Sequence, residues 1–147
     1  MRLTVELPLR ANRSEVWAAL STVGGMNREL SPFVRMTDPT HGAPFDAEPW
    51  RVGTPVAWQL LFGVIPIDRH RIELVALPEG RGFRESSSSW WYSVWWHERA
   101  LLDASGGCVV RDTVEIEPRL RAADPIVAWA ARWMFRQRHR KLRRRFG

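Results

Sequence analysis

Five side chains able to do acid–base or charge-stabilising chemistry alternate along segments with a strand-like pattern: His70, Glu85, His97, Arg99 and Asp112. A histidine beside a carboxylate can act as a general base, and an arginine can stabilise an enolate or bind the carboxylate of a ligand. The same groups can instead form a structural network, because a buried charge without a partner is very costly. The residue types favour a structural or ligand-orienting role and leave catalysis as an alternative.

Two predicted hairpins bring these side chains to one face of one sheet. With "ASGG" as the turn, Arg99 lies opposite Asp112, and with "PEGR" as the turn, Glu85 lies opposite Leu74. Alternate residues of a strand point to the same side. The same face then takes the following residues: His70, Ile72, Leu74, Phe83, Trp95, His97, Leu101, Val110 and Val114. Because this face is mostly apolar, we expect it to line the core, with Arg99 and Asp112 forming a charge-assisted pair across two strands.

Hydrophobic periodicity predicts the strands that hold these residues. The predicted strands are residues 2–9, 33–36, 56–62, 65–77, 83–89, 93–103 and 108–118. In the fourth of them, Asp68 and His70 share a face with Ile72. In the third, period two places the following residues together, toward the expected cavity: Val56, Trp58, Leu60 and Phe62.

The remaining segments predict helices and one long loop. A short helix begins at an Asn12 cap and is stopped by a Gly-Gly pair, and a second short helix covers residues 26–30. Residues 37–55 are rich in Pro and Gly and predict a loop. A long helix covers residues 124–147, with Asp124 as its N-cap and a proline at its first position.

Composition indicates one globular domain over residues 1–147, with 45% hydrophobic and 26% charged residues. The single cysteine cannot form an internal disulfide, and we find no secretory leader or apolar run of about 20 residues. We therefore expect a cytoplasmic protein. The net charge of +6 is local, because seven of the 22 Lys and Arg residues lie between Arg136 and Arg145.

The order of elements and several stretches resemble the helix-grip fold of the START/Bet v 1-like (SRPBCC) superfamily. The stretches are "VELPLRANRSEVWAAL", "LFGVIPIDRHRIEL", "WWHERALLDASGGCVVRDTVEIEPR" and "FRQRHRKLRRRFG". The resemblance implies an α+β fold in which a curved antiparallel sheet wraps around a long C-terminal helix and encloses a hydrophobic cavity. Members of the superfamily bind lipids, sterols, polyketides or plant-hormone-like molecules, and some are cyclases or aromatases.

The resemblance implies binding of a hydrophobic small molecule, which is lipid-, polyketide- or aromatic-like. The residues expected to line the cavity are Trp58, Leu60, His70, Ile72, Glu85, Trp95, His97, Trp129 and Trp133. The alternative is a polyketide cyclase- or aromatase-like enzyme that uses His70 or His97 with Glu85, Arg99 and Asp112. No cofactor or metal is expected, and the nine tryptophans leave open whether the cavity is filled.

The other aromatic residues of the "WWYSVWWHER" stretch are expected at a hairpin tip or on the outer face: Trp90, Trp91, Tyr92 and Trp96. Dimerisation, a lid over the cavity, peripheral membrane docking aided by the basic tail, and packing against the loop at 40–50 all agree with the sequence.

The C-terminal helix has an apolar pattern of its own. The expected buried positions are Val127, Met134, Leu142 and Phe146, with Ile126, Ala130 and Trp133. Its arginines are then expected on the outer face and at a frayed end. Nucleic-acid binding is a weak alternative, because no recognised binding motif is present.

Overall fold

The chain passes through an antiparallel sheet and ends in a long helix that packs across it. This computed structural model describes residues 1–51 and 55–147. Its strands are Arg2–Leu9 (β1), Val34–Met36 (β2), Val56–Leu61 (β3), Ile65–Ala76 (β4), Gly82–Ser88 (β5), Tyr92–Ala104 (β6) and Gly107–Pro118 (β7). Its α-helices are Arg13–Leu20 (α1), Val23–Leu30 (α2), Glu48–Arg51 (α3) and Asp124–Phe146 (α4). Within these ranges the strands form one curled sheet in the order β1-β7-β6-β5-β4-β3-β2, and the predicted helix-grip arrangement is confirmed.

Both predicted hairpin registers are confirmed. Arg99 lies opposite Asp112 in the β6–β7 pair, and Glu85 lies opposite Leu74 in the β4–β5 pair. These four residues share one face of the sheet and are buried. Arg111, which directly precedes Asp112 in β7, is exposed on the other face. Strict alternation along paired strands therefore places all five candidate polar residues inside the sheet.

The predicted inner face of β3 is wrong. Ala57 pairs with His70 and is fully buried, whereas Trp58 pairs with Arg69 on the outer face and is 36% exposed. A bulge after Gln59 then shifts the register, and Leu60 beyond it is half-buried. Apolar residues occur at both odd and even positions of this strand, so the sequence pattern alone does not show which face is buried. The small Ala57 is the residue that fits over the core.

The two short helices are confirmed, but their boundary lies elsewhere. The Asn12 side chain caps α1 by accepting a hydrogen bond from the Glu15 amide at 2.9 Å. The Gly-Gly pair does not stop this helix; it lies within α2, which Thr22 caps. Gly25 is required there because a Cβ would stand 2.3 Å from the Ala19 carbonyl oxygen. Glycine thus permits close packing of α2 on α1.

The predicted loop at 37–55 is only partly irregular. It includes α3 and buries the side chains of Phe45 and Trp50 in the core, where their rings meet edge to face. Residues 52–54 of this prediction lie outside the described residues. The aromatic side chains of the loop therefore fill the core against Phe83.

The predicted burial of Leu142 and Phe146 on the long helix α4 is confirmed, but the first half of the helix turns a different set of residues inward. Its buried side chains are Ala131, Phe135, Arg138, Leu142 and Phe146, at a spacing of three or four residues. Ile126, Trp129 and Ala130 are exposed, which corrects the first half of the expected stripe. The helix begins at Asp124 with Ala123 as its N-cap, so the predicted N-cap role of Asp124 is wrong. No helix within the described ranges is long and apolar enough to span a membrane.

Candidate functional site

Arg99 is the centre of a buried ion network. Its Nε and one terminal nitrogen donate to the two oxygens of Asp112 at 2.7 and 2.9 Å. Its other terminal nitrogen donates to Glu29 of α2 at 2.7 Å. Arg138 of α4 donates from Nε to the second oxygen of Glu29 at 2.9 Å. The network therefore ties the sheet, α2 and α4 together through fully buried charges.

Asp112 has no free acceptor capacity. In addition to Arg99, it contacts Nε2 of His97 at 2.8 Å and Nε2 of His139 at 2.7 Å. Burial by itself would raise the pKa of the Asp112 carboxyl, but the Arg99 charge and the two histidine hydrogen bonds outweigh burial and hold it well below its ordinary value. An ionised carboxylate only accepts, so both imidazoles must carry their hydrogen on Nε2. Four N–H donors fill its lone pairs.

The charges of this network balance. Burial opposes ionisation of Glu29, yet the charges of Arg138 and Arg99 outweigh it and lower the pKa of the carboxyl. With Glu29 and Asp112 ionised, two anions face the two guanidinium cations and the net charge is zero. Arg99, Asp112 and Glu29 satisfy one another, and one terminal nitrogen of Arg138 has no hydrogen-bond partner among the described residues. Because all four side chains are buried and paired in charge, the network provides connection and register rather than an open reactive group.

Glu85 and His97 lie beside this network on the inner face. Ser87 donates to one oxygen of Glu85 at 3.0 Å, and the other oxygen is 3.9 Å from Nδ1 of His97. The His97 ring packs edge to face between Phe83 and Phe135, with ring centroids 5.3 Å from each. Both residues are thus enclosed by the core, below the small cavity described next.

A cavity of about 90 Å³ lies between the sheet and the first half of α4. Its lining residues are Gln59, Tyr92, Trp95, Ile116, Val127, Ala130, Ala131 and Met134. Ligand pockets typically measure about 300–1,000 Å³, and a water takes about 30 Å³, so this cavity holds a fragment at most without movement. The rings of Phe83, His97 and Phe135 pack together in the interior next to it.

A buried Asp68–His70 pair stands next to this cavity, behind Tyr92. His70 is 2% exposed, and its ring centroid is 6.4 Å from that of Tyr92. Its Nε2 lies 3.0 Å from Asp68 Oδ2, but the ring N–H does not point at that oxygen. Among the described residues, neither His70 nitrogen has a hydrogen-bond partner. The other Asp68 oxygen accepts from the Trp90 amide at 3.1 Å.

The remaining residues expected to line the cavity are placed variously. Trp95 lines it, and Ile72 is buried on the same face, in the same row as Trp95 across Ser87 of β5. Trp58 lies outside, with its ring against Trp90. Trp129 is exposed, and Trp133 packs on Phe33 with ring centroids 4.7 Å apart. Neither of these two α4 tryptophans lines the cavity, which corrects the expectation for both.

Sequence reasoning missed four participants. The strand pattern places Asp68 on the inner face but indicates no role for it. Glu29 and Arg138 are buried partners from two helices, and the burial of Arg138 corrects the expectation that the arginines of this helix lie on its outer face. The available signal was spacing: Arg138 lies three residues after Phe135 and four before Leu142, on the buried stripe. His139 follows it and reaches Asp112 from the same helix. No group of three or more His, Cys, Asp or Glu side chains in the described part of the chain is placed to hold a metal.

The fold is shared with solved structures that differ widely in sequence. A START superfamily protein from Mycobacterium smegmatis is 10% identical, with a TM-score of 0.66 over 99% of this chain and 95% of that one. The crystal structure of Ara h 8.0201 is 12% identical, with a TM-score of 0.59 over 97% of both chains. Norcoclaurine synthase from Thalictrum flavum is 10% identical, with a TM-score of 0.61 over 97% of this chain and 85% of that one. These likenesses show that the chain has the helix-grip fold.

The sequence also matches the model of one protein family. The model of the family described as "Domain of unknown function (DUF8410)" matches residues 7–146. The chain therefore belongs to this family. None of the curated proteins compared with it matches the sequence.

Proposed function

We propose that the protein binds a small, mainly apolar molecule carrying one polar group, in the cavity between the sheet and the first half of α4. The observation that carries this proposal is the Asp68–His70 pair, a buried polar pair with unfilled hydrogen-bonding capacity beside an apolar cavity. An unsatisfied buried polar group costs about 1–3 kcal/mol. A ligand hydroxyl or carbonyl that reaches His70 recovers part of that cost.

The cavity enlarges, on this proposal, by movement of side chains at its wall. Trp95 and Met134 are only half-buried, and the α4 residues that follow the Arg121–Ala123 turn pack loosely enough to leave Ile126 exposed. A shift of Tyr92 connects the cavity to His70 directly. The norcoclaurine synthase structure contains dopamine and hydroxybenzaldehyde. One protein of this architecture therefore holds small aromatic molecules, which supports a ligand of this class here.

The test compares two probes of nearly equal shape, phenol and toluene, which differ in one hydroxyl group. Chemical-shift titration of the purified protein measures both affinities. We expect both probes to bind, and His70→Leu to lower the phenol-to-toluene affinity ratio by roughly 2- to 10-fold, the value of one hydrogen bond. Ala131→Leu fills the cavity and should abolish binding of both. Ala128→Leu, on the same helix but outside the lining, is the matched control.

Two results would contradict the proposal in different ways. Failure of both probes to shift cavity resonances would reject the cavity as a binding site. Binding with an unchanged ratio in His70→Leu would keep the cavity and reject His70 as its polar anchor. Native mass spectrometry of freshly purified protein, with organic extraction, identifies any compound that the protein already carries.

A second candidate function is acid–base catalysis by the same pair. Asp68 Oδ2 stands 3.0 Å from Nε2 of His70, so a rotation of the ring that aims its N–H at this oxygen would let the carboxylate orient an imidazole base. Of the residues proposed for a cyclase-like enzyme, Arg99 and Asp112 are occupied by each other, so His70 is the residue to test. Conversion of the extracted compound by the wild type but not by His70→Gln would establish catalysis. Recovery of unchanged compound would leave binding alone.

A further inference from the structure

Four separate segments of the chain meet at one end of the sheet, which we call the cavity end. They are the β3–β4 turn at residues 62–64, the β5–β6 turn at 89–91, the β7–α4 connection at 119–123, and the first turns of α4. Antiparallel strand order brings these segments together. Two hydrogen bonds fix the β5–β6 turn at this end: Trp91 Nε1 donates to the Ile67 carbonyl of β4 at 2.7 Å, and the Arg119 amide of the β7–α4 connection donates to the Trp91 carbonyl at 3.0 Å.

Each of these segments exposes large apolar side chains. We define the apolar collar as Phe62, Val64, Ile65, Trp90, Trp91, Leu120, Ile126 and Trp129, which are between 52% and 74% exposed. Trp58 and Val94 adjoin it. Among the described residues, Val75 is the one exposed large apolar side chain at the far end of the sheet. Such a concentration at one end marks a surface that meets a partner.

The charges beside the collar are mainly positive. The β3–β4 and β5–β6 turns contain no acidic residue. Arg35 lies against Gly63 in the first turn, and Arg69 stands 6.0 Å from the Trp58 ring. Three further arginines flank the collar, against two acids: Arg119, Arg121 and Arg132, against Glu117 and Asp124. The basic C-terminal tail lies at the opposite end of α4, about 30 Å away by the rise of the helix, so it does not assist this surface.

We propose that the apolar collar docks on the surface of an anionic lipid bilayer. The side chains of the collar come from four segments around the cavity end, so they can insert into the interfacial layer of a bilayer at several points. Tryptophan prefers the interfacial layer of a membrane, and arginine pairs with lipid phosphates there. Trp129 and Ile126 stand beside the cavity residues Ala130 and Val127, so the docked surface includes the cavity opening. This inference is independent of any ligand in the cavity.

Co-sedimentation with vesicles tests the inference directly. The probes are vesicles of phosphatidylcholine alone and of an equimolar mixture with phosphatidylglycerol. We expect binding to the mixed vesicles, weakened by salt but not abolished, since apolar insertion is not screened. The double variant Val64→Glu/Trp129→Glu should lower the association constant for the mixed vesicles at least about tenfold. Val75→Glu, an equally exposed valine away from the collar, should bind like the wild type.

Three outcomes would overturn the inference. One is the absence of wild-type binding to either vesicle. Another is loss of binding in Arg143→Gln/Arg144→Gln with retention in the collar variant, which would assign the contact to the basic tail. The third is a concentration-dependent dimer in analytical ultracentrifugation that the collar variant abolishes, which would make a second copy the partner. Quenching of wild-type tryptophan fluorescence by brominated phospholipid in mixed vesicles provides a check that needs no variant, and its absence would count against insertion.

Discussion

Replacement of Asp112 by asparagine isolates the central charge of the buried network with little change in shape. Asp112 is fully buried and faces four N–H donors from Arg99, His97 and His139. An asparagine side chain accepts at one oxygen only, and its NH₂ group opposes donors. Glu29 then remains as the single anion between two buried guanidinium groups.

The expected loss of stability follows from breaking a buried ion pair on one side. Such changes cost about 3–5 kcal/mol, because the remaining charge is left without compensation in the interior. For a chain of this length each kcal/mol lowers Tm by roughly 2–4 °C, so Asp112→Asn should lower Tm by about 6–20 °C. Urea unfolding followed by far-UV circular dichroism gives the free energy, and a thermal scan gives Tm.

A matched control lies next to Asp112 in β7, on the opposite face of the sheet. Arg111 pairs with Glu6 on the exposed face of β7 and β1. Glu6→Gln breaks that pair and should cost less than about 1 kcal/mol, because exposed ion pairs contribute little. If Asp112→Asn costs no more than Glu6→Gln, the network is not a source of stability and the reasoning above is wrong.

Other perturbations test the same structure at different points. Folding lowers the pKa values of the Glu29 and Asp112 carboxyls, so the unfolded chain binds more protons at acid pH. The free energy of unfolding should therefore be retained above about pH 5 and should fall as the pH drops through the folded pKa values. This fall should be shallower in Asp112→Asn, which lacks one of the two carboxyls. A titration of urea midpoints between neutral and acid pH measures this. Gly82 has φ +123°, and a Cβ there would stand 1.8 Å from the Arg99 carbonyl oxygen, so Gly82→Ala should cost more than about 2 kcal/mol in urea unfolding. Phe135→Ala removes the ring between α4 and His97 and should cost about 3–5 kcal/mol by the same assay; a loss under 1 kcal/mol would mean that the site collapses around the smaller side chain.

The hairpin half of the molecule was predictable because its constraints are local. Short turns fix which residues face each other, and alternation then fixes the face, so the inward position of Arg99 followed from the sequence alone. In β3 the same method failed at Trp58. That strand has apolar residues at both odd and even positions, and a bulge after Gln59 shifts its register against β4, so the short turn at 62–64 does not reveal which face Trp58 takes.

The helical partners of the network were not predictable from local pattern. Helix α4 carries tryptophans and an isoleucine at one helical spacing and Arg138 at another. Hydrophobicity alone predicts that the tryptophans and the isoleucine are buried and that Arg138 is exposed. In the folded chain, Arg138 is buried because Glu29 meets it there, and Glu29 is buried because Arg99 meets it from the sheet. Residues 109 positions apart in sequence thus decide which face of the helix turns inward.

The sequence by itself determined the order of elements, the registers of two hairpins and the inward direction of five polar side chains, since each depends on neighbours a few residues away. Only the tertiary structure decided what those side chains contact. It closed Arg99 and Asp112 into a buried ion network with two helices, left His70 without a hydrogen-bond partner among the described residues beside a small cavity, and placed exposed apolar residues from four segments at one end. These outcomes depend on how the sheet curls around α4, and that curvature arises from packing across the whole core rather than from any one stretch of chain.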